Sequence, residues 1–277
     1  MSSDPASAVP PAPPAEDEAV VLALGELELR GRIMPASNVT LFGEVVHEGR
    51  SVACVYKPIS GERPLWDFPD GTLAAREVAA HAVSEALRWN IVPPTILRDG
   101  PVGAGMVQAW REPDAGQDPV DIVAAGPTPD GFRHVLDALD GDDRPIALVH
   151  EDSEALRRMA VFDVLVNNAD RKGGHVLAMP DGHRFGVDHG VCFNVDDKLR
   201  TVLWGWAGEP LDGSDADEIG GFLEELTTHG SPIRAELRGL LDAEEVTALE
   251  LRCTMLLRRR RMPHPSRGWP SIPWPAF

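Results

Sequence analysis

The hydrophobic pattern of this chain changes partway along, and that change restricts its possible folds more than any other feature. Residues 19–56 and 92–110 contain short runs of β-branched and aromatic residues separated by turn residues, a pattern typical of strands. Residues 72–89 instead repeat small apolar residues at helical spacing behind Thr72, which is suited to be the N-cap. The first part of the chain therefore predicts an antiparallel sheet with one main helix.

A polar connection rich in proline and glycine follows at residues 111–131 and contains a predicted domain boundary near residue 112. Beyond it we predict mostly helices, at 131–140, 151–168 with Asp152 or Ser153 as the cap, 216–228 and 243–261. The whole pattern predicts an α+β fold of two unequal lobes with a cleft between them. The predicted parts are a disordered Pro/Ala-rich tail, an N-lobe and a C-lobe, at residues 1–17, 18–112 and 113–277.

The composition excludes several classes of partner. The formal net charge of -18 argues against a nucleic-acid partner or an anionic membrane, because both require a positive field. The sequence has no unbroken apolar stretch of spanning length, and its N-terminus lacks a basic region that leads into an apolar core. We therefore expect a cytoplasmic protein without stable membrane insertion. The run Arg258–Arg261 is basic in an otherwise acidic chain. It is either a basic helix end that complements the helix dipole or a docking site for an acidic partner.

The cysteine pattern indicates a reduced environment. The chain has three cysteines, Cys54, Cys192 and Cys253, an odd number without short metal-type spacing. We predict buried free thiols rather than disulfides or a zinc site.

Residues 166–190 carry the densest group of chemically useful side chains. The dipeptide Asp181-Gly182 predicts a hairpin with a two-residue type I′ turn. This register places His175 directly opposite Asp188, with Cβ atoms roughly 4.5 to 5.5 Å apart, close enough for both side chains to hold one divalent cation. Asp170 lies in the loop that leads into the first strand. The pattern therefore predicts that these three residues converge.

The segments FDVLVNNADRKGGH and GVDHG resemble the catalytic segment of the protein-kinase-like superfamily, in particular its phosphatidylinositol 3-/4-kinase and HipA-like branches. From residue 20 onward the chain also resembles a family of actinobacterial proteins described as distantly similar to phosphatidylinositol 3-/4-kinases. The resemblance implies a two-lobed protein-kinase-like fold, with a metal-binding hairpin in a mostly helical C-lobe. It implies Asp170 as the catalytic residue, Arg171 balancing charge beside it, and Asp188 with His175 as metal ligands.

The same resemblance assigns roles in the N-lobe. Lys57, at the end of a strand, corresponds to the lysine that holds the α- and β-phosphates of ATP. Glu77, in the following helix, is then its ion-pair partner, although helical periodicity by itself also allows a solvated side chain. Ser37 and Asn38, in a turn between two strands, are candidate donors to the phosphates, and equally ordinary turn residues.

The adenine is expected at the end of the N-lobe sheet. Here the backbone of Gln108, Ala109 and Trp110 corresponds to the hinge of related kinases. A strand that leads into a polar linker is also a common purely structural pattern.

These assignments predict an ATP-dependent phosphotransferase that moves the γ-phosphate to a hydroxyl of a protein, lipid or small-molecule acceptor, with Mg²⁺ or Mn²⁺ as cofactor. His175 stands where the related kinases have asparagine, and imidazole suits softer ions than Mg²⁺. We therefore predict that Mn²⁺ supports binding at least as well as Mg²⁺. The alternatives are a nucleotide-binding pseudokinase or scaffold and, from His175, His183 and His189, a zinc hydrolase. The hairpin register disfavours the zinc site because it places His183 at the turn.

Overall fold

The computed structural model describes most of the chain. The described residues are 15–34, 38–63, 65, 68, 72–266, 268 and 270–277. Ser37 and residues 1–14 of the predicted tail lie outside them.

The first part of the described chain is rich in strands. Its helices and strands are α1 Ala15–Leu24, β1 Glu26–Arg32, β2 Leu41–His47, β3 Arg50–Pro58, α2 Leu73–Ala86, β4 Thr95–Gly100 and β5 Gly103–Ala109. The five strands form one antiparallel sheet in the spatial order β1-β2-β3-β5-β4. The predicted sheet with one main helix is confirmed, with one additional helix before it.

Helix α1 corrects the strand-like interpretation of the residues from Ala19 onward. It begins at Ala15, inside the stretch predicted as tail, and buries Val21 and Leu22 against the sheet. An apolar run of only six residues fits a strand and a helix equally well, so the sequence pattern could not distinguish them. Contact with the sheet selects the helix.

Helix α2 is held at its N-terminus by the loop that follows β3. Thr72 stands at the predicted N-cap position with a φ of 63°, but its side chain makes no capping hydrogen bond. The Glu62 carboxylate accepts hydrogen bonds from the backbone N–H groups of Leu73 at 3.2 Å and Ala74 at 2.8 Å. A carboxylate at this end satisfies free N–H groups and complements the helix dipole. The loop after β3 is thereby tied to the helix that carries Glu77.

The second part of the chain contains most of the helices. Its elements are β6 Val120–Ala124, β7 Phe132–Leu139, β8 Pro145–Glu151, α3 Glu154–Val166, β9 Val176–Ala178, β10 Arg184–Gly186, α4 Gly213–Thr227, α5 Pro232–Leu240 and α6 Ala243–Arg259. Ser153 caps α3, because its hydroxyl accepts the N–H of Leu156 at 3.1 Å. The predicted domain boundary near residue 112 lies in the connection between β5 and β6.

A three-stranded sheet in this part corrects the helix predicted at 131–140. Those residues form β7, which pairs antiparallel with β8, and β8 lies between β6 and β7. The segment GFRHVLDALD has apolar residues at spacings that suit either structure, and pairing with the buried run of β8 selects the strand. The prediction of an α+β fold is confirmed, but its second part is less purely helical than predicted.

One hydrophobic core joins α2 of the first part to α3 and α6 of the second. It includes Ala79 and Val83 on α2, Leu156 and Phe162 on α3, and Leu249 on α6, all buried. Close packing on both sides leaves α2 little freedom to rotate. This orientation determines where Glu77 lies.

The predicted burial of the cysteine thiols is confirmed. Cys54, Cys192 and Cys253 are all buried free thiols. Burial raises the pKa of Cys54 and of Cys253 to about 12, which makes both thiols unreactive. Among the described helices, none combines the length and the apolar character needed to cross a membrane.

Candidate active site

The hairpin of β9 and β10 forms, but its register differs by one residue from the predicted one. Ala178 pairs with Arg184, and the N–H of Gly182 donates to the carbonyl of Met179 at 3.0 Å. Gly182 has a φ of +90°, whereas Asp181 is not among the residues with positive φ. A type I′ turn needs positive φ at both positions, so the loop is instead a type I turn closed by a left-handed glycine.

His175 and Asp188 meet despite this shift. The N–H of Val187 donates to the carbonyl of His175 at 3.0 Å, so Val187 rather than Asp188 lies opposite the histidine. Asp188 has a φ of 62°, and the alternation of an extended strand therefore stops at this residue. His175 Nε2 lies 3.5 Å from Asp188 Oδ2. The predicted convergence of these two side chains is present, by a different backbone route.

Lys57 connects the sheet, α2 and the hairpin. Its Nζ lies 2.6 Å from Glu77 Oε1 and 2.7 Å from Asp188 Oδ1. The Glu77 side chain is 2% exposed, whereas that of Asp188 is 50% exposed. Glu77 therefore faces inward toward the lysine, and the solvated orientation that periodicity also allowed is excluded. Asp188 remains open to a ligand.

The electrostatic interactions among Lys57, Glu77 and Asp188 favour the charged form of the lysine. Burial opposes the charge on Lys57, but Asp188 and Glu77 outweigh it and raise the pKa of the amine above its usual value. The Lys57 charge lowers the pKa of Asp188 far below its usual range, against the effect of burial. Burial raises the pKa of Glu77, an effect that Lys57 partly offsets. Asp188 is thus an ionised carboxylate at the open side of the group.

His175 has a neutral imidazole whose tautomer is fixed. Burial lowers its pKa, and the Asp188 charge counteracts this only in part. Its Nδ1 lies 3.0 Å from the carbonyl oxygen of Asp170, which can only accept, so Nδ1 carries the proton. Nε2 then directs a lone pair at the Asp188 carboxylate. Two acceptors 3.5 Å apart are stabilised by a cation bound between them.

Within the described part of the chain, no group of three or more His, Cys, Asp or Glu side chains is placed to hold a metal ion. Asp188 and His175 are therefore a pair of candidate ligands rather than a complete site. Mg²⁺ and Mn²⁺ in phosphate-transfer sites commonly take only a few protein ligands and complete their shell with phosphates and water. The pair fits that kind of ion better than a closed structural zinc site.

Asp170 lies in the loop between α3 and the hairpin, half-buried. Its N–H donates to Asn168 Oδ1 at 2.9 Å, which fixes the loop conformation. Its Oδ2 is 3.3 Å from Lys172 Nζ, and its Oδ1 is 3.9 Å from Arg200 Nη2. Since His175 Nδ1 also binds the Asp170 backbone, the histidine connects Asp170 to Asp188.

Arg171 is fully buried beneath this loop. Its guanidinium binds both carboxylate oxygens of Asp163 at 3.0 to 3.2 Å, and donates to the carbonyls of His175 at 3.2 Å and Val187 at 3.1 Å. These contacts join α3, the loop and the hairpin, so Arg171 positions the groups around it. Sequence reasoning missed Asp163, whose signal was a lone carboxylate within the apolar helical run FDVLV.

Of the two residues predicted to contact phosphates, only Asn38 is described; Ser37 lies outside the described residues. Asn38 Oδ1 accepts the backbone N–H of Arg63 at 3.0 Å. Asn38 therefore holds the turn before β2 against the loop after β3.

The residues predicted to contact adenine lie at the end of β5 and just beyond it. Gln108 is buried, and its side chain donates to a threonine hydroxyl within the sheet at 2.8 Å. The N–H of Ala109 donates to the carbonyl of Pro94 at 2.9 Å, and that of Trp110 to Ala53 at 2.8 Å. Both amides are thus already paired, and an adenine base would have to use other groups of this segment.

Comparison with known proteins places the chain in a family. A scan against protein-family models finds no match. Protein Rv2133c of Mycobacterium tuberculosis (strain ATCC 25618 / H37Rv) is 51% identical over 271 residues, covering 95% of this chain and 96% of that protein. The chain belongs to the family of Rv2133c. The crystal structure of a Helicobacter pylori proinflammatory kinase, CtkA, aligns over 85% of this chain and 97% of its own, with 12% sequence identity and a TM-score of 0.37.

The three histidines that suggested a zinc hydrolase do not meet in this member of the Rv2133c family. His183 Nε2 contacts the carbonyl of Asn90 at 2.8 Å. His189 is buried, and its Nε2 lies 2.7 Å from Arg171 Nη2. The hairpin separates His183 from His175, as the sequence predicted.

The C-terminus packs directly on the loop of Asp170. The N–H of Gly173 donates to the carbonyl of Ala276 at 2.8 Å, and a Cβ at Gly173 would overlap the ring of Phe277. We expect Gly173→Ala to displace Phe277 and to speed its release by a carboxypeptidase several-fold. Gly174→Ala is the matched control, because a Cβ there meets nothing within 4 Å. Equal release rates in the two variants would contradict this packing.

Proposed function

We propose that this protein is an ATP-dependent phosphotransferase that transfers the γ-phosphate of ATP to a hydroxyl group. The observation that carries the proposal is the position of Lys57, paired with Glu77 at 2.6 Å and with Asp188 at 2.7 Å. Kinase-like enzymes use a strand lysine, a helix glutamate and a metal-binding aspartate in this arrangement. Three charged groups from separate elements at one point have little value for packing alone, since Glu77 is removed from water and Lys57 largely so.

Lys57 is the group that would hold the α- and β-phosphates. Its raised pKa keeps the amine charged, and Glu77 fixes its position from the buried side. A lysine held in this way has lost much of its rotamer freedom before the nucleotide arrives, so binding costs less entropy.

Asp188 and His175 are the residues that would hold a divalent cation. The carboxylate is ionised and half-exposed, and the neutral imidazole presents Nε2 toward it. When bound, such a cation neutralises charge on the β- and γ-phosphates. The nitrogen ligand favours Mn²⁺ relative to a site made only of oxygens.

Asp170 would orient the acceptor hydroxyl and accept its proton. Its carboxylate is half-buried, and the hydrogen bond from its backbone N–H to Asn168 Oδ1 holds the residue at the start of the loop. Lys172 and Arg200 place positive charge near the same oxygens, at 3.3 and 3.9 Å. Positive groups near the point of transfer also stabilise the negative charge of the moving phosphoryl group.

The acceptor is the least constrained part of the proposal. Similarity to phosphatidylinositol 3-/4-kinases suggests an inositol lipid, and similarity to HipA-like kinases suggests a protein serine or threonine. The net charge of -18 disfavours work on an anionic membrane surface. We therefore favour a protein or small-molecule acceptor.

A nucleotide-binding pseudokinase is the second candidate. It is favoured by His175, which stands where related kinases have asparagine. Both candidates require the same nucleotide site and differ only in turnover.

The nucleotide site is tested by thermal unfolding of the wild type and Asp188→Ala with ATP, in Mg²⁺ and in Mn²⁺. Ligand at 100 times its Kd adds about 2.7 kcal/mol, which for a chain of this size raises the midpoint by roughly 5 to 10 °C. We expect this rise in the wild type, at least as large with Mn²⁺ as with Mg²⁺, and its loss in Asp188→Ala.

The matched control is Asp181→Ala, which removes an exposed carboxylate at the other end of the same hairpin. It should keep the full rise. If ATP raises the wild-type midpoint with neither metal, the proposed nucleotide site is wrong. A strict preference for Mg²⁺ would contradict the role given to His175.

A further inference from the structure

A cavity of about 260 Å³ lies in the second part of the protein, apart from the site described above. Its walls are the C-terminal end of α3, one face of α6 and two irregular segments, residues 195–204 and 261–266. None of the residues that we propose to bind nucleotide, metal or acceptor lines it. Its volume is close to the lower end of the range for small-molecule pockets.

Three exposed apolar side chains surround this cavity. Leu251 and Met255, one turn apart on α6, are 57% and 38% exposed, and Val195 on the facing segment is 52% exposed. Leu199 and Trp204 supply buried apolar wall. A group of large exposed apolar residues around one concavity is a feature of ligand-binding surfaces.

Arg252 places a positive charge at the cavity wall. Its Nε donates to the carbonyl of Leu165 at 2.7 Å and its Nη1 to that of Asn194 at 3.2 Å. Its Nη2 is buried and finds no hydrogen-bond acceptor among the described residues. Nη2 has almost no accessible surface, so an anionic ligand group in the cavity would be attracted by the charge of the guanidinium rather than bonded to this atom.

The remaining charges of the lining are also mostly positive. Arg259, Arg261 and His264 line the cavity, and Asp197 is the one carboxylate in its lining. Arg261 already donates to the carbonyl of Gly208 at 2.9 Å. In a chain of net charge -18, such an excess of basic groups around an apolar cavity indicates an anionic ligand.

We propose that this cavity binds a single-chain anionic amphiphile, a molecule with one carboxylate and an unbranched apolar chain. The carboxylate would lie near the positive charge of the Arg252 guanidinium, and the chain would lie between α6 and Trp204. This proposal is independent of phosphotransfer, because it uses none of the same side chains.

The test is calorimetric titration of the wild-type protein with octanoate, 1-octanol and octylammonium, which share one chain length and differ in the charge of the head group. The positive charge of the lining predicts that octanoate binds at least about tenfold more tightly than octanol, and octylammonium more weakly than either. Equal affinity for octanoate and octanol, or no binding of octanoate, would overturn the proposal.

Three variants locate the site. Arg252→Gln should bring the affinities for octanoate and octanol within about twofold of each other, since the charge is lost and the apolar wall remains. Ala248→Phe, which fills the cavity, should weaken binding of both. Arg258→Gln removes a neighbouring exposed arginine outside the lining and should change neither.

Thermal unfolding of each variant verifies its folding before titration. If Arg252→Gln does not fold, Ala248→Phe and the comparison of the three ligands on the wild type still test whether octanoate binds in this cavity. Octanoate binding that Ala248→Phe leaves unchanged would show that the ligand binds elsewhere and would overturn the proposal.

Discussion

Replacing Asp170 with asparagine is expected to lower the rate of phosphoryl transfer by about 10² to 10⁴-fold, the usual contribution of a positioned general base. Asparagine keeps the shape of the side chain but cannot take up the acceptor proton. ATP binding should be nearly unchanged, because in the proposed site Lys57 and Asp188, not Asp170, hold the nucleotide and its metal. The measurements are single-turnover ADP formation with saturating acceptor and, separately, nucleotide affinity by titration.

Asp181→Asn, an identical exchange at an exposed position of the hairpin turn, serves as the control and should retain the wild-type rate. A wild-type rate in Asp170→Asn would remove Asp170 from the mechanism. A wild-type protein that binds ATP with metal and yet forms no ADP with any acceptor would instead favour the pseudokinase.

Replacing Asp163 with asparagine is expected to lower the free energy of unfolding by about 3 to 5 kcal/mol, the cost of leaving a buried charge without its partner. The carboxylate is fully buried and accepts from Arg171 at 3.0 Å, from Asn168 at 3.1 Å and from Thr201 at 3.1 Å. An asparagine in its place directs an amide group or a neutral oxygen at the buried guanidinium. Denaturation in urea with linear extrapolation measures the change.

The control for this variant is Asp142→Asn, which breaks a surface pair. Asp142 lies 2.9 Å from Arg144 and is 75% exposed, so its loss should cost less than about 1 kcal/mol. An equally small change in Asp163→Asn would mean that the Arg171 charge is compensated by the two backbone carbonyls alone. Arg171 would then not need its carboxylate to hold the loop.

Prediction and structure agree best where local interactions, such as helix caps and turns, determine the backbone conformation. Ser153 caps α3 as predicted, and the hairpin forms around Asp181 and Gly182 because glycine accepts a left-handed backbone. Even there the register is off by one residue, since Pro180 suits the second position of a type I turn and the loop takes three residues instead of two.

The structure differs from the sequence-based prediction where contacts with residues distant in the sequence select the secondary structure. The segment 131–140 satisfies helical spacing, yet it pairs with β8 and becomes a strand. Helix α1 replaces a predicted strand because its apolar face packs on the sheet. Neither partner lies within the few residues that a periodicity analysis compares.

For the candidate site, the sequence by itself determined the chemical groups: a strand lysine at Lys57, carboxylates at Asp170 and Asp188, and an imidazole at His175 in place of an amide. Only the tertiary structure decided that Glu77 faces Lys57 rather than solvent, and that Arg171 is held beneath the loop by Asp163. The reason is physical. Side-chain identity and turn preference act over a few residues. Lys57, by contrast, contacts Glu77, 20 residues away in the sequence, and Asp188, 131 residues away. The packing of α2 against the shared core fixes the position of Glu77.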